Sequence, residues 1–273
     1  MIGMATVIND YPLYYDATNE HGLSMAGLNF PGNAVYLPRK EGYDNITPFE
    51  FIPWILSQCK TVAQSRTRLE RLNLTDIAFS NDLSLSPLHW IISDKRESIV
   101  VEPMTGGIKI FKNPVGVLTN NPPFDYHMHN LCNYLNLTPD EPSNRFSNKI
   151  SLKPYSRGMG GFGLPGDLSS ASRFVKATFT KLNSVSDGTQ SQDISQFFHI
   201  LGSVAQQRGC VKVGSGFERT IYTSCCNTDK VIYYYTTYDN SQITAVNLFH
   251  ENLDTSHLRS FPLIKQQQIR IEN

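Results

Sequence analysis

Residues 88–119 read "LHWIISDKRESIVVEPMTGGIKIFKNPVGVLT", four short apolar runs separated by "KRE", "TGG" and "NP". Each separator is a turn signal of hairpin length, and strands joined by turns this short lie antiparallel. The stretch therefore predicts a meander. Working outward, strand-like runs occur earlier at 1–8 and 22–30, with a turn between them. "NITPFEFIPWILSQCK" (45–60) reads as a helix with Thr47 as N-cap and Pro48 in the first helical position. "TVAQSRTRLERLN" (61–73) reads as another, with Val62, Leu69 and Leu72 in its apolar stripe. Past the meander come a short helix at 124–136 and a loop rich in Pro, Ser, Asn and Gly over 136–168. Helices follow at 169–183 and 193–207, the second with Asp193 as cap and Phe197, Ile200 and Val204 turned inward. "RTIYTSC", "KVIYYYTTY" and "QITAVNLF" make a second meander, in which Tyr233, Tyr234 and Tyr235 suit a strand covered on both faces. Runs of strands alternating with runs of helices predict an α+β fold with antiparallel sheets, not βαβ units.

Composition narrows the function. The 273 residues carry 24 basic and 24 acidic side chains, so no net charge favours nucleic acid or an anionic membrane surface. Polar residues interrupt every apolar run before it reaches membrane-spanning length. The apolar start lacks the basic lead and small-residue cleavage site of a signal peptide. Five irregularly spaced cysteines, Cys59, Cys132, Cys210, Cys225 and Cys226, fit reduced thiols in a cytoplasm better than a disulfide framework.

Several local motifs carry no chemistry. Gly158, Gly160 and Gly163 have dinucleotide-loop spacing, but no strand precedes them and Pro165 stands where a helix should open. They read as a loop needing positive φ. His127 and His129 sit two apart on a helix and share no face, and no acidic or Cys ligand supports them. His89, beside Trp90 on a strand, reads as a hydrogen-bonded buried histidine. No residue implies a metal or cofactor. Three polar residues stand in unusual settings: Asn29 ends an apolar strand, Asn120 follows one, and Arg173 lies on an apolar helix. Taken alone, they read as strand-end turn residues and a snorkelling arginine.

A wider pattern changes that. "DYPLYYDATNEHGLSMAGLNFPG", "LHWIISDK…SIVVEP", "VLTNNPPFD", "LPGDLSSASRF" and "YYYTTYDNSQITAVNL" resemble, in order and spacing, the choloylglycine hydrolase family of bile salt hydrolases and penicillin V acylases. The resemblance runs over essentially the whole chain. It implies one domain over 1–273 with the four-layer αββα N-terminal nucleophile hydrolase fold, and linear-amide hydrolysis by an N-terminal cysteine whose own α-amine carries the proton. It implies that Asn29, through its backbone N–H, and Asn120, through its side-chain amide, form the oxyanion hole, and that Arg173 favours the thiolate. Asparagine in "GLNFP" resembles the bile salt hydrolase branch; penicillin V acylases tend to carry tyrosine there. The loop 76–87 corresponds to a substrate-pocket loop, and Ile8, Tyr15 and Phe79 are expected to contact a steroid. Members often form homotetramers.

In the family, "MIGM" lies several tens of residues after the catalytic cysteine. The chain is thus expected to lack that cysteine, an Arg-Asn-x-Asp segment and the first strands, leaving run 1–8 as an exposed apolar edge. The polypeptide as written is expected to be insoluble or inactive. The other readings are a penicillin V acylase-type amidase, and a catalytically dead binding protein or pseudogene product.

Overall fold

The computed structural model describes residues 1–273. Its elements, in chain order, begin with three strands, β1 (Ile2–Ile8), β2 (Tyr11–Thr18) and β3 (Ser24–Asn29), and a short β4 (Asp44–Ile46). Helices α1 (Phe51–Gln58) and α2 (Val62–Leu69) lead to β5 (Leu72–Leu74), which pairs in parallel with β4. The meander expected from 88 onward is β6 (Leu88–Ser93), β7 (Ser98–Met104) and β8 (Gly107–Lys112). Helices α3 (Phe124–Asn130), α4 (Ser170–Asn183) and α5 (Gln190–Gly202) follow. A small hairpin comes next, β9 (Val211–Val213) and β10 (Gly216–Glu218), then β11 (Tyr222–Asn227), β12 (Ile232–Thr237) and β13 (Asn240–Asn247).

Strands β1-β2-β3-β6-β7-β8 form one six-stranded antiparallel sheet, and β11-β12-β13 a second, three-stranded one. On one face of the large sheet, Met25, Trp90, Ile92, Ile99 and Val101 pack against Phe51, Ile55, Val62 and Leu69 of α1 and α2. On the opposite face Val100 meets Phe124 of α3 and Phe174 of α4, while Met4 meets Tyr233 and Tyr235 of the second sheet. Helix α5 lies against β11. Helices, sheet, sheet and helices stack in that order, the αββα arrangement of an α+β fold. Tyr233, Tyr234 and Tyr235 are all buried, as a strand covered on both faces requires.

Departures from the expected elements have local causes. Residues 11–18 are a strand, not a turn. Asn9 and Asp10 both have positive φ, 50° and 61°, and close a two-residue hairpin between Ile8 and Tyr11. A register shift then sets Met4 opposite Asp16 but Ala5 opposite Tyr14, so Tyr15 is an extra residue. That bulge breaks the alternation by which a strand is read. Helix α1 starts at Phe51 because the Thr47 hydroxyl donates to Glu50 Oε2 at 2.7 Å instead of capping a helical N–H. Residues 115–119 leave the sheet. Asn113 takes the Gly116 N–H (2.8 Å) and donates to Val117 O (2.9 Å), while Lys181 Nζ donates to Val115 O (2.8 Å). Helix α5 begins at Gln190 with Asp193 in its first turn, and Phe197 is exposed. Ile200 and Val204 are half-buried as expected, and Ile194, Phe198 and Leu201 join them in place of Phe197.

The glycine loop behaves as read from its residues. Gly158 and Gly163 have φ of 81° and 96°. Gly160 is packed so closely that a Cβ would lie 2.1 Å from Asp140 O and 2.4 Å from Thr138 O.

Candidate active site

Where β3 ends, Phe30 N–H donates to Pro87 O at 2.7 Å. This makes Asn29 and Leu88 a non-hydrogen-bonded pair, so both backbone groups of Asn29 point away from β6. The Asn29 carbonyl accepts Asn120 Nδ2 at 2.8 Å, and its N–H shares that direction. Asn120 Oδ1 in turn accepts Arg173 Nη2 at 2.7 Å. Three residues separated by 91 and 53 positions thus form one hydrogen-bonded chain. A carboxamide nitrogen has two hydrogens; one goes to Asn29, leaving the other as a donor beside the Asn29 N–H.

Each partner is fixed from behind. Arg173 sits in the first turn of α4, whose N-cap Ser169 accepts Ser172 N–H, and its Nε donates to Leu168 O at 3.1 Å. Burial pulls the Arg173 pKa down, and the Glu218 carboxylate opposes this. Asn120 N–H donates to Ser170 Oγ at 2.8 Å, and Ser170 Oγ donates to Thr119 Oγ1 at 3.0 Å. Asn121 Nδ2 donates to Pro31 O at 2.6 Å and its Oδ1 accepts Asn33 Nδ2 at 3.1 Å, tying the 119–123 segment to the end of β3 again. His127 is buried with Nε2 donating to Asn120 O at 2.9 Å, whereas His129 is exposed, as two residues on different helix faces should be. Thr119, Ser170, Asn121, Asn33 and His127 were not singled out for this place from sequence, because no local pattern marks them.

The expected substrate contacts divide. Phe79 lies 5.6 Å from Tyr11 and 5.2 Å from Phe49, ring centre to ring centre, and Ile8 is the ladder partner of Tyr11. Tyr15 stands apart on the bulge, half exposed, with its hydroxyl on Thr6 Oγ1 at 2.8 Å and its ring 6.4 Å from Tyr222. None of the three hydrogen-bonds to Asn29, Asn120 or Arg173.

No cysteine reaches this cluster by a hydrogen bond. Cys59 and Cys225 are buried, Cys226 is half-buried, and Cys132 and Cys210 are exposed. Burial pushes the Cys225 thiol up to about 12 and Cys226 up to about 11, the reverse of activation. No helix is long and apolar enough to cross a membrane.

The sequence model described as "Linear amide C-N hydrolases, choloylglycine hydrolase family" matches residues 1–261. The chain belongs to the choloylglycine hydrolase family. A bile salt hydrolase/transferase of Lactiplantibacillus plantarum is 58% identical over 98% of the chain and 83% of that protein. One from Clostridium perfringens is 38% identical over 100% of the chain and 84% of that protein. A crystal structure of a mutant conjugated bile acid hydrolase from Clostridium perfringens superposes with a TM-score of 0.93 at 38% identity, covering 99% of the chain and 83% of its counterpart. Penicillin V acylase from Agrobacterium tumefaciens shares the fold, with a TM-score of 0.66 at 18% identity over 86% of the chain and 66% of its counterpart. The expectation of a truncated start and missing first strands gains no support from these coverages, which measure what a choloylglycine hydrolase shares with the chain and not at which end the lengths differ.

Proposed function

We propose that the chain is the amide-polarising body of a bile salt hydrolase, cleaving the amide of glycine- or taurine-conjugated bile salts. The observation that carries this reading is the Asn29–Asn120–Arg173 hydrogen-bonded chain, which leaves one carboxamide hydrogen and the Asn29 N–H facing the same side. Two donors so placed would take the oxygen of a tetrahedral intermediate. The Arg173 guanidinium, held by Asn120 and Leu168 O, would favour a neighbouring thiolate. Family membership supplies the reaction class, and the relatives' description as bile salt hydrolases supports the substrate.

The nucleophile in this proposal is a cysteine thiol outside residues 1–273, since the five within them make no hydrogen bond to the cluster. The 273-residue polypeptide alone is then inactive, and a form that carries ahead of these residues the family's segment beginning with the cysteine is active. Loss of a nucleophile and its base leaves a hydrolase only about 10³–10⁴-fold above water. Ile8 and Phe79, with Tyr11 and Phe49, form the apolar wall for a steroid, and Tyr15, apart from that wall on the bulge, is a separate apolar contact in the same proposal. A single domain, a cytoplasmic setting and a homotetramer belong to the same proposal. The five unpaired cysteines support a reducing compartment, and light scattering of the purified protein reads the assembly.

The test measures glycine release from glycocholate and phenoxyacetate release from penicillin V, with the chain alone and with the cysteine-bearing form. Hydrolysis of glycocholate by the cysteine-bearing form only is expected. Turnover by the chain alone would overturn the assignment of the nucleophile, and preference for penicillin V would overturn that of the substrate.

A further inference from the structure

Two buried histidines sit behind the cluster in matching positions. His89, on β6, donates from Nε2 to Thr119 O at 2.8 Å, and its ring stacks on Phe30 with centres 4.3 Å apart and planes 5° apart. His127, on α3, donates from Nε2 to Asn120 O at 2.9 Å, and its ring stacks on Phe174 at 4.6 Å and 17°. Phe30 follows Asn29 and Phe174 follows Arg173. Each imidazole therefore touches two of the three converging segments at once, gripping the 119–120 backbone by its N–H and a neighbouring segment by its face. A main-chain carbonyl only accepts, so the proton must be on Nε2 in both rings.

What lies behind the two rings differs. His89 Nδ1 is 3.0 Å from Glu102 Oε1, with both side chains fully buried, and Oε1 also accepts Phe124 N–H at 3.0 Å; a nitrogen lone pair and a carboxylate oxygen do not meet at that distance, so a second hydrogen lies between Nδ1 and Oε1. Glu102 thereby fixes the orientation of His89 and the first residue of α3, the helix that carries His127. His127 Nδ1 has no partner, which a neutral ring with its proton on Nε2 permits, since that nitrogen then carries only a lone pair. Burial lowers the His127 pKa, the carbonyl of Asn120 opposing, so the ring is held uncharged beside Arg173.

We infer that His89 and His127 are positioning residues, paired staples that set the Asn120 carboxamide against Asn29 O and Arg173. This deepens the proposed reading of the site and rests on it for its catalytic meaning. The positions of the donors matter because a misplacement of about 1 Å in a site of this kind can cost about 10²-fold in rate. The staples act on geometry alone; neither ring has a hydrogen-bonding atom left over to face substrate, since one nitrogen holds a carbonyl and the other faces Glu102 or buried apolar side chains.

Two readouts separate the staples from the function. Long-range ¹H–¹⁵N spectra of the histidine-labelled chain report the tautomer, and hydrogen exchange of the 119–124 segment reports how firmly Asn120 N–H is held on Ser170. Nε2–H signals for His89 and His127 are expected, both in slow exchange with water. His127→Phe keeps the stack on Phe174 and removes the donor; exchange at Asn120 should rise about tenfold or more with the rest of the chain unchanged. His127→Gln, which can donate from a similar place, should restore protection. In the cysteine-bearing form, His127→Phe should lower kcat about 10²-fold with KM within about threefold, and His127→Gln should recover most of it. A ring of His89 or His127 without a hydrogen on Nε2 in the unsubstituted chain, or wild-type protection and kcat in His127→Phe, would overturn the inference. Should His127→Phe fail to fold, the tautomer and the His127→Gln kinetics still decide it. Absence of any bile salt turnover with the tautomers and exchange as expected would defeat the proposed function and leave the staples standing as structure.

Discussion

At the scale of single residues, the chain places its polar side chains where several backbone groups must be satisfied at once. Asn19 shows this away from the site. It is buried, its Nδ2 donates to Leu56 O (2.8 Å) and Cys59 O (2.7 Å), and its Oδ1 accepts Leu23 N–H (3.0 Å) and His21 N–H (3.1 Å). Asn19→Ala strands these groups, and at about 1–3 kcal/mol for an unsatisfied buried group the loss should reach about 3 kcal/mol in urea unfolding. A change below about 1 kcal/mol would show that water replaces the side chain. Asn120 is used as fully, with its N–H, C=O, Nδ2 and Oδ1 all paired. Neither asparagine could be told from an ordinary turn residue by its neighbours in sequence. What singled out Asn29, Asn120 and Arg173 was the resemblance carried by the long motifs around them, because a contact 91 residues away leaves no local trace.

At the scale of elements, α4 carries Arg173 and depends on its N-terminus. Asp167 accepts Ser169 N–H at 2.9 Å and Ser172 Oγ at 2.5 Å; the Ser169 hydroxyl first, then Ser172 and the Ser169 N–H, hold its carboxyl down to about 2. A carboxyl lowered by folding stabilises the native state above its unfolded pKa, near 3.8, and that contribution is lost as pH falls toward about 2. Hydrogen exchange across the start of α4 should therefore accelerate between those values, and Asp167→Asn should remove the pH step; persistence of the step in that variant would refute it. The loop before α4 offers a steric counterpart. Gly160→Ala drives a Cβ to 2.1 Å from Asp140 O, so the turn must open, and a loss of about 1–3 kcal/mol in Tm-derived stability is expected. Elements were legible where period and punctuation agreed, as in β6 to β8 and α4. They were misread where a side chain replaced the backbone's usual partner. Thr47 turned to Glu50, Asn113 pulled 115–119 from the sheet, and the Tyr15 bulge hid β2.

For the whole molecule, the two sheets are joined through one carboxylate. Asp16 on β2 accepts Tyr222 Oη at 2.6 Å on Oδ2 and Tyr233 Oη at 2.7 Å on Oδ1, bonds spanning 206 and 217 residues. Burial raises the Asp16 pKa while these donors pull against it, so the phenols are needed to keep the carboxylate in place. Tyr222→Phe combined with Tyr233→Phe leaves the carboxylate only Ser224 Oγ at 3.4 Å and the Met4 N–H; it should cost up to about 3–5 kcal/mol, the range for a buried charge that loses its partner, and chemical denaturation of the double variant measures it. The α+β class with antiparallel sheets was legible from the succession of strand and helix runs, and the αββα order came with the family resemblance. The joint was not, because it depends on Tyr222 and Tyr233 reaching a strand hidden by its own bulge. The same long-range convergence gives the Asn29–Asn120–Arg173 cluster its shape, and kinetics test its proposed role most directly. In the cysteine-bearing form, Asn120→Ala should lower kcat for glycocholate by about 10²–10³-fold with the titratable thiol count unchanged. A kcat equal to that of the unsubstituted protein would contradict the account, since the carboxamide would then polarise nothing.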